Sequence, residues 1–222
     1  MLALLSGLVA GSIHVVSGPD HLTAVAPLSV RHPNHARRMG FKWGLGHASG
    51  VIFVGLLALV LRRALPIEAF SSWSERLVGV ALGAIGLWGI RTALKNRVHF
   101  HEHSHDGDTH VHLHVHDTKH MHAAPRAHVH THTAFAFGIL HGFAGSSHFI
   151  GVLPALAFPR VADAAYYLSA YGIGTVLAMT CFASVMGVTA RRFALSGERA
   201  YRRLMLTCST AAILVGAYWL VS

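Results

Sequence analysis

The stretch "HVVSGPDHLTAVAP" (residues 14–27) lies inside an otherwise apolar N-terminal segment. It carries two histidines, an aspartate and a Gly-Pro pair, although ionisable groups are costly in a bilayer and Pro interrupts a helix. Two interpretations are open at this point. The stretch is either a short surface loop between two hydrophobic elements, or a metal or proton site within the membrane.

The composition favours an integral membrane protein. The 222 residues are 53% hydrophobic and 12% charged, with a mean hydropathy of +0.47, whereas soluble domains carry about 25% charged residues. Met1 is followed directly by apolar residues without a basic segment, so we expect no cleavable signal peptide. A span needs about 20 apolar residues. Six spans are predicted: residues 2–30, 39–61, 77–94, 133–158, 161–190 and 204–221.

The basic residues indicate the orientation of these spans. The first, third and fifth loops, together with the span ends that adjoin them, hold 14 of the 18 Lys and Arg residues. The positive-inside rule places those loops in the cytoplasm and both termini outside. Topology therefore explains the net charge of +9, and we expect no nucleic-acid partner. Trp43, Trp73 and Trp219 are predicted to be interfacial anchors.

The two halves of the chain share a pattern. A shift of 127 residues places "GSIHVVSGPDHLTAVAP" (residues 11–27) over "GILHGFAGSSHFIGVLP" (residues 138–154), with the common frame G-x2-H-x3-G-x2-H-x3-V-x-P. A shift of 128 places "GLGH" (residues 44–47) over "GIGT" (residues 172–175). Each repeat contains three spans, and because three is odd the second repeat enters the membrane from the opposite side. This predicts two inverted three-helix repeats, an architecture of many secondary transporters.

The first helix of each repeat is predicted to be broken. In residues 17–20, "SGPD", a capping serine or glycine precedes Pro and an acidic residue, as at a helix start. "GSS" (residues 145–147) can serve similarly in the second half. Unwound backbone at membrane depth is tolerated only where protein buries it or where it lines a wet cavity. A broken helix is therefore favoured over a surface loop.

Histidines inside the spans are the candidate ligands. Imidazole suits transition metals, and Asp20, the only acidic residue deep in a predicted span, adds a negative charge. A single intramembrane histidine is more often an interhelical hydrogen-bond partner. Here four histidines are paired between the repeats and one of them adjoins Asp20, which favours a site. The predicted metal ligands are His14, Asp20, His21, His47, His141 and His148.

The loop between the repeats is histidine-rich. Residues 99–132 contain 13 histidines among 34 residues, and in "THVHLHVH" (residues 109–116) they alternate with apolar residues, so an extended strand would place them on one side. Such tracts bind metal ions with modest selectivity. The alternative is a dispensable linker that binds metal only incidentally.

Several other functions stay open from the residues alone. A proton relay could use the same histidines, because histidine titrates near neutrality. A membrane metalloenzyme of the histidine-box kind needs tighter spacings than the H-x6-H of each half. A haem-binding electron carrier leaves the Asp-His pair unexplained, and Asp20 argues against an anion as the transported species.

The motifs "HVVSGPDH" (residues 14–21) and "WGLGHASG" (residues 43–50) resemble those of the nickel/cobalt transporter superfamily. The likeness is closest to its six-span members, the urease-associated permease-like proteins and the histidine-loop exporters. The resemblance implies a metal site at His14, Asp20, His21 and His47, and it implies Ni²⁺ or Co²⁺ as cargo. The chain departs from the family pattern in its H-x5-D-H spacing, which is one residue longer than H-x4-D-H.

The sequence thus predicts an all-α integral membrane protein with six transmembrane helices in two inverted repeats. Residues 1–98 form the first repeat, 99–132 a cytoplasmic histidine-rich loop and 133–222 the second repeat. The predicted function is secondary transport of Ni²⁺ or Co²⁺, with Zn²⁺ also tolerated, across the cell (inner) membrane, and no enzyme activity or resident cofactor is expected. The expected partners are the metal ion, the lipid bilayer, and a homo-oligomer or cytoplasmic metallochaperone.

Overall fold

The computed structural model describes residues 1–61, 67–95, 98–105, 108–115, 131–143 and 151–221. The described membrane part is all-helical, as predicted. In chain order the elements are α1 (Leu2–Ser17), α2 (Pro19–Arg31), α3 (Ala36–Leu61), α4 (Ile67–Lys95), β1 (Val98–His105), β2 (Asp108–Val115), α5 (Thr131–Phe143), a 3-10 helix (Leu153–Ala157), α6 (Val161–Leu195) and α7 (Glu198–Val221).

The break between α1 and α2 lies where the sequence predicts it. Gly18 adopts an extended conformation (φ −89°, ψ 104°), Pro19 opens α2 and Asp20 occupies its first turn. Pro fits there because the first residues of a helix have no intrahelical partner for their N–H groups. The Ser17 hydroxyl donates back to the Ile13 carbonyl (2.7 Å), so Gly18 and not Ser17 is the capping residue of α2. The two helices are bent by 71°.

The helices support a multi-pass membrane protein. Among the described residues, three helices are long and apolar enough to span: Glu75–Lys95, Val161–Leu195 and Glu198–Val221. The bent pair α1 and α2 would make a fourth. Large apolar side chains such as Leu5, Ile13, Leu87, Leu177 and Leu214 are exposed on the outside of the bundle. Exposed apolar surface of this kind is expected where helices face lipid.

Glycines allow the closest helix contacts. Gly11 of α1 lies against the backbone carbonyl of Tyr171 in α6, and Gly138 of α5 lies against the backbone carbonyl of Trp43 in α3. These positions correspond in the predicted repeat, Gly11 to Gly138 at a shift of 127 and Trp43 to Tyr171 at a shift of 128. The contact of α1 with α6 is thus matched by the contact of α5 with α3.

The third helix pair, α4 and α7, also meets through glycine. A Cβ on Gly79 would lie 2.7 Å from the Gly216 carbonyl oxygen, and a Cβ on Gly216 would lie 2.7 Å from the Gly79 carbonyl oxygen. The contact is reciprocal. Small residues at such interfaces let membrane helices approach closely.

Part of the histidine-rich tract forms a hairpin. Strands β1 and β2 are antiparallel, with Val98 opposite Val115 and His105 opposite Asp108. Residues 109–115 lie in β2, so this part of the tract is extended. Three pairs of histidines stand opposite one another in this register: His99 and His114, His101 and His112, and His103 and His110.

The close contact at Gly138 predicts a substitution effect. Gly138→Ala should lower the free energy of unfolding by about 1–3 kcal/mol, because the added methyl meets rigid α3 backbone. Gly83→Ala is the matched control, since nothing lies within 4 Å of its Cβ position. Thermal unfolding in detergent should show a lowered Tm for the first variant and an unchanged or slightly raised Tm for the second. Equal Tm values for the two variants would contradict the close approach of Gly138 to the α3 backbone.

The turn between α2 and α3 predicts a pH effect. Burial, followed by the charges of Arg31 and His35, lowers the pKa of His32 from its ordinary 6.5 to about 4. As the pH falls, the unfolded chain therefore binds a proton at His32 at a higher pH than the folded chain does. The free energy of unfolding then decreases as the pH drops from about 6.5 to about 4. Tm measured at pH 7.5 and pH 5 should fall more for the parent than for His32→Gln. An equal fall in both proteins would contradict the prediction.

Candidate metal centre

The bend at Gly18 brings two predicted ligands together. In a continuous helix, positions seven apart lie about 10 Å from each other along the axis. Here His14 lies in the last turn of α1 and His21 in the first turn of α2, and their ring centroids are 4.5 Å apart. The helix break therefore makes a shared site geometrically accessible.

Imidazoles from three helices converge. The Nε2 atom of His47, in α3, lies 3.4 Å from Nε2 of His14 and 3.2 Å from Nε2 of His21. The ligand atoms of these three histidines all lie within 4.8 Å of one another. An ion held tetrahedrally at about 2.0–2.1 Å from nitrogen places its ligand nitrogens about 3.3–3.4 Å apart. The two measured separations are of this size.

Asp20 joins the group from the other side of His21. Its Oδ1 lies 3.0 Å from Nδ1 of His21, and its Oδ2 lies 3.2 Å from Nε2 of His141, in the last turn of α5. Asp20, His21 and His141 form a second set whose ligand atoms lie within 4.8 Å of one another. His21 belongs to both sets.

Polar contacts connect five side chains in the order His14, His47, His21, Asp20 and His141, a compact group that we call the His-Asp row. Four of the five side chains are buried, with relative exposures of 0% for His47, 1% for His21, 3% for His141 and 4% for Asp20. His14 is half-buried. A buried carboxylate is stable only when it is paired and hydrogen-bonded, and the two adjoining imidazoles meet that requirement here.

The hydrogen-bonding geometry assigns roles to the two nitrogens of His21. As a carboxylate, Asp20 only accepts hydrogen bonds, so Nδ1 of His21 carries the proton and donates to Oδ1. In neutral His21 the lone pair is then on Nε2, which faces His47. A carboxylate behind a ligating histidine fixes its tautomer and raises its basicity. In this arrangement Asp20 would support His21 as a ligand of the three-histidine set.

Two aromatic residues border the row, and the sequence did not single them out as site residues. Tyr171 lies beside His14, with ring centroids 5.7 Å apart, and Trp43 lies beside His141 at 6.2 Å. The prediction that Trp43 is an interfacial anchor is wrong, because its side chain is 2% exposed and stacks on Phe137. The sequence did contain a signal for these two residues, because the 128-residue shift between the repeats pairs Trp43 with Tyr171.

One predicted ligand falls outside this description. His148, like the predicted second break at residues 145–147, lies outside the described residues. The structure brings together His14, Asp20, His21, His47 and His141, which come from four helices separated by up to 127 positions in sequence.

Two plant proteins are similar to nearly the whole of this chain. Chloroplast protein FOR GROWTH AND FERTILITY 1 of Arabidopsis thaliana is 33% identical over 95% of this chain and 56% of its own length. Chloroplast protein FOR GROWTH AND FERTILITY 2 of the same plant is 34% identical over 98% of this chain and 55% of its own length. This chain therefore spans just over half the length of those two relatives.

A bacterial relative is matched over more of its length. Urease accessory protein UreH of Bacillus sp. (strain TB-90) is 30% identical over 85% of this chain and 78% of its own length. No solved structure matches the chain significantly. The family described as the cytochrome C biogenesis protein transmembrane region matches residues 2–218, nearly the whole chain including every element of the His-Asp row. The chain belongs to this family of multi-pass membrane proteins.

Proposed function

We propose that the protein is a secondary transporter of a divalent transition-metal cation and that the His-Asp row is its transport site. The observation that carries the proposal is the convergence of three imidazoles, from His14, His21 and His47. Nε2 of His47 lies 3.4 and 3.2 Å from the other two Nε2 atoms, and the ligand atoms of all three lie within 4.8 Å of one another. Ni²⁺ and Co²⁺ are the first candidates and Zn²⁺ is also tolerated, since imidazole ligands suit all three.

The charge of the site favours a cation. Three neutral imidazoles and one carboxylate offer lone pairs and a single negative charge, which a divalent cation would neutralise. An anion would meet the buried carboxylate of Asp20 at close range and be repelled. The site thus supports cation transport over the anion alternative.

The helix contacts support alternating access of two inverted repeats. The Gly11–Tyr171 contact between α1 and α6 has its counterpart in the Gly138–Trp43 contact between α5 and α3. The α4–α7 contact is reciprocal, as a two-fold axis between these helices would require. Transporters built in this way move one repeat against the other around a site near the midplane.

The relatives and the charge distribution support the remaining parts of the proposal. A urease accessory protein among the relatives fits the resemblance to the urease-associated permease-like proteins. The positive-inside rule supports a cell (inner) membrane orientation with both termini outside and the histidine-rich loop in the cytoplasm. In that position the loop would gather or buffer metal ions, and a cytoplasmic metallochaperone or a second copy of the chain would be the natural protein partner.

Proton transport is the second candidate function, and the continuity of the row favours it. Successive contacts of 3.4, 3.2, 3.0 and 3.2 Å join His14, His47, His21, Asp20 and His141. However, one Nε2 of His47 faces two other Nε2 atoms, and a single nitrogen cannot make a well-aligned hydrogen bond to both. A cation between the three nitrogen atoms can accept a lone pair from each of them, which favours metal transport.

Metal flux into proteoliposomes tests the proposal. Chains lacking residues 99–132, so that binding to the histidine tract does not interfere, should carry Ni²⁺ or Co²⁺ to an enclosed metal-sensitive dye. His21→Ala should reduce the flux by about 10–100-fold or more, because it removes a member of both ligand sets. His35→Ala, an exposed histidine in the α2–α3 turn, is the matched control and should leave the flux unchanged.

Two results would contradict metal transport. One is a folded parent that moves none of the three ions. The other is a parent whose enclosed pH dye responds without metal while no metal enters, which would establish the proton alternative. In either case the His-Asp row would need another explanation.

Asp20→Asn tests the supporting carboxylate. Asn retains the shape and an acceptor for Nδ1 of His21 but removes the negative charge. Metal affinity, measured by titration calorimetry on the same truncated chain, should fall by about 10–100-fold. Asp163→Asn, a carboxylate in the first turn of α6, should leave the affinity unchanged. An unchanged affinity in Asp20→Asn would show that the carboxylate only packs.

A further inference from the structure

One buried aromatic side chain lies beside each end of the His-Asp row. Tyr171 is fully buried beside His14 at one end, and Trp43 is 2% exposed beside His141 at the other. Because His14 and His141 are the terminal members of the row, an ion that enters or leaves along the row passes one of these rings.

The two aromatic residues occupy equivalent places. Each lies on the helix that packs against the helix carrying the adjacent terminal histidine: α6 against α1 for Tyr171, and α3 against α5 for Trp43. In both cases the backbone carbonyl of the aromatic residue lies against a glycine three residues before the histidine, Gly11 or Gly138. The backbone is packed closely at both positions in this conformation, and the aromatic ring is the part of each residue that lies beside the terminal histidine.

Neither side chain is held by a hydrogen bond within the described residues. The Tyr171 hydroxyl and Nε1 of Trp43 are both buried without such a partner. By contrast, the neighbouring Tyr167 donates its hydroxyl to the Gly151 carbonyl (2.8 Å). A ring without a hydrogen bond can change rotamer without breaking one, and a buried polar atom without a partner stabilises the closed position poorly.

The surroundings leave limited room for such movement. A cavity with space for about one water molecule (≈ 10 Å³) lies beside Trp43 and His141, and Leu82 and Ile85 of α4 form part of its wall. At the other end Gly151 faces the Tyr171 ring, and a Cβ there would lie 2.8 Å from ring carbons Cε2 and Cζ. The two rings have room for small displacements. A larger displacement of the Trp43 ring requires α4 to move as well, and a larger displacement of the Tyr171 ring requires Gly151 to move.

We propose that Tyr171 and Trp43 are the two access gates of the transport site, one at each end of the His-Asp row. This inference rests on the proposed function. In the present conformation Trp43 closes its end of the row, where His141 is 3% exposed, and at the other end Tyr171 lies beside the half-buried His14. Displacement of one ring opens the site to one side of the membrane, and displacement of the other ring opens it to the opposite side. The movement of one repeat against the other decides which ring is displaced.

A gate has a kinetic signature that a ligand lacks. Opening it raises the association and dissociation rates by the same factor and leaves the Kd unchanged, whereas loss of a ligand raises the Kd. The probe is Co²⁺, whose absorption reports its coordination, and the protein is the full chain in detergent. Release is followed after mixing with excess chelator. The kinetic phase that is missing in His47→Gln belongs to the transport site.

Tyr171→Leu and Trp43→Leu should each raise both rates by on the order of tenfold, with an unchanged Kd and Co²⁺ spectrum. Tyr166→Leu and Trp73→Leu remove exposed aromatic side chains and are the matched controls, with parent rates expected. Gly151→Ala is a milder variant, because its methyl displaces the end of the Tyr171 ring, and it should also accelerate exchange. Gly83→Ala is its control.

Unchanged rates in Tyr171→Leu and Trp43→Leu, or in Gly151→Ala if the leucine variants do not fold, would overturn the gates. A raised Kd with an altered spectrum would also overturn them, because it would make the aromatic residues ligands or positioning residues. A parent without any phase that His47→Gln removes would instead refute the metal site itself. The failure of the gates and the failure of the proposed function are therefore distinguishable.

Discussion

The arrangement of the site depends on the interruption of the first helix at Gly18 and Pro19. Pro19 cannot continue the hydrogen-bond ladder of α1, and Gly18 accepts the extended conformation that joins two helices at 71°. A straight helix would place His14 and His21 about two turns apart. The bend brings their rings into contact and directs the first turn of α2, with Asp20, towards α3 and α5. A helix break at membrane depth is tolerated where protein shields its backbone groups from lipid.

The buried carboxylate determines the electrostatics of this region. Asp20 lies between His21 and His141, and an isolated carboxylate at this depth would be strongly unfavourable. Its charge polarises His21 and gives an otherwise neutral set of imidazoles a preference for cations. The same pairing limits how far α2 and α5 can separate while the carboxylate stays charged. In the proposed transporter, this one side chain would therefore couple ion binding to the movement of α2 against α5.

Membership of the cytochrome C biogenesis transmembrane family describes the scaffold. A shared fold does not assign a function, which depends on the residues at the site. The relatives carry names as different as a urease accessory protein and two chloroplast proteins for growth and fertility. In this chain the groups that could carry a function are the His-Asp row and a loop in which histidines of two strands stand opposite one another.

The sequence by itself determined the apolar helices, the break at Gly18, and the histidines and aspartate of the site, because hydropathy, Gly-Pro chemistry and intramembrane charge are local properties. It also predicted a pairing of the two halves through the spacing of His14 and His141. The tertiary structure decided which atoms meet: that Asp20 faces Nδ1 of His21, that His47 touches both His14 and His21, and that Trp43 is buried at the row and not at the interface. Those contacts depend on the rotation and separation of helices far apart in sequence. Glycine contacts between helices set both quantities, and no local pattern encodes them.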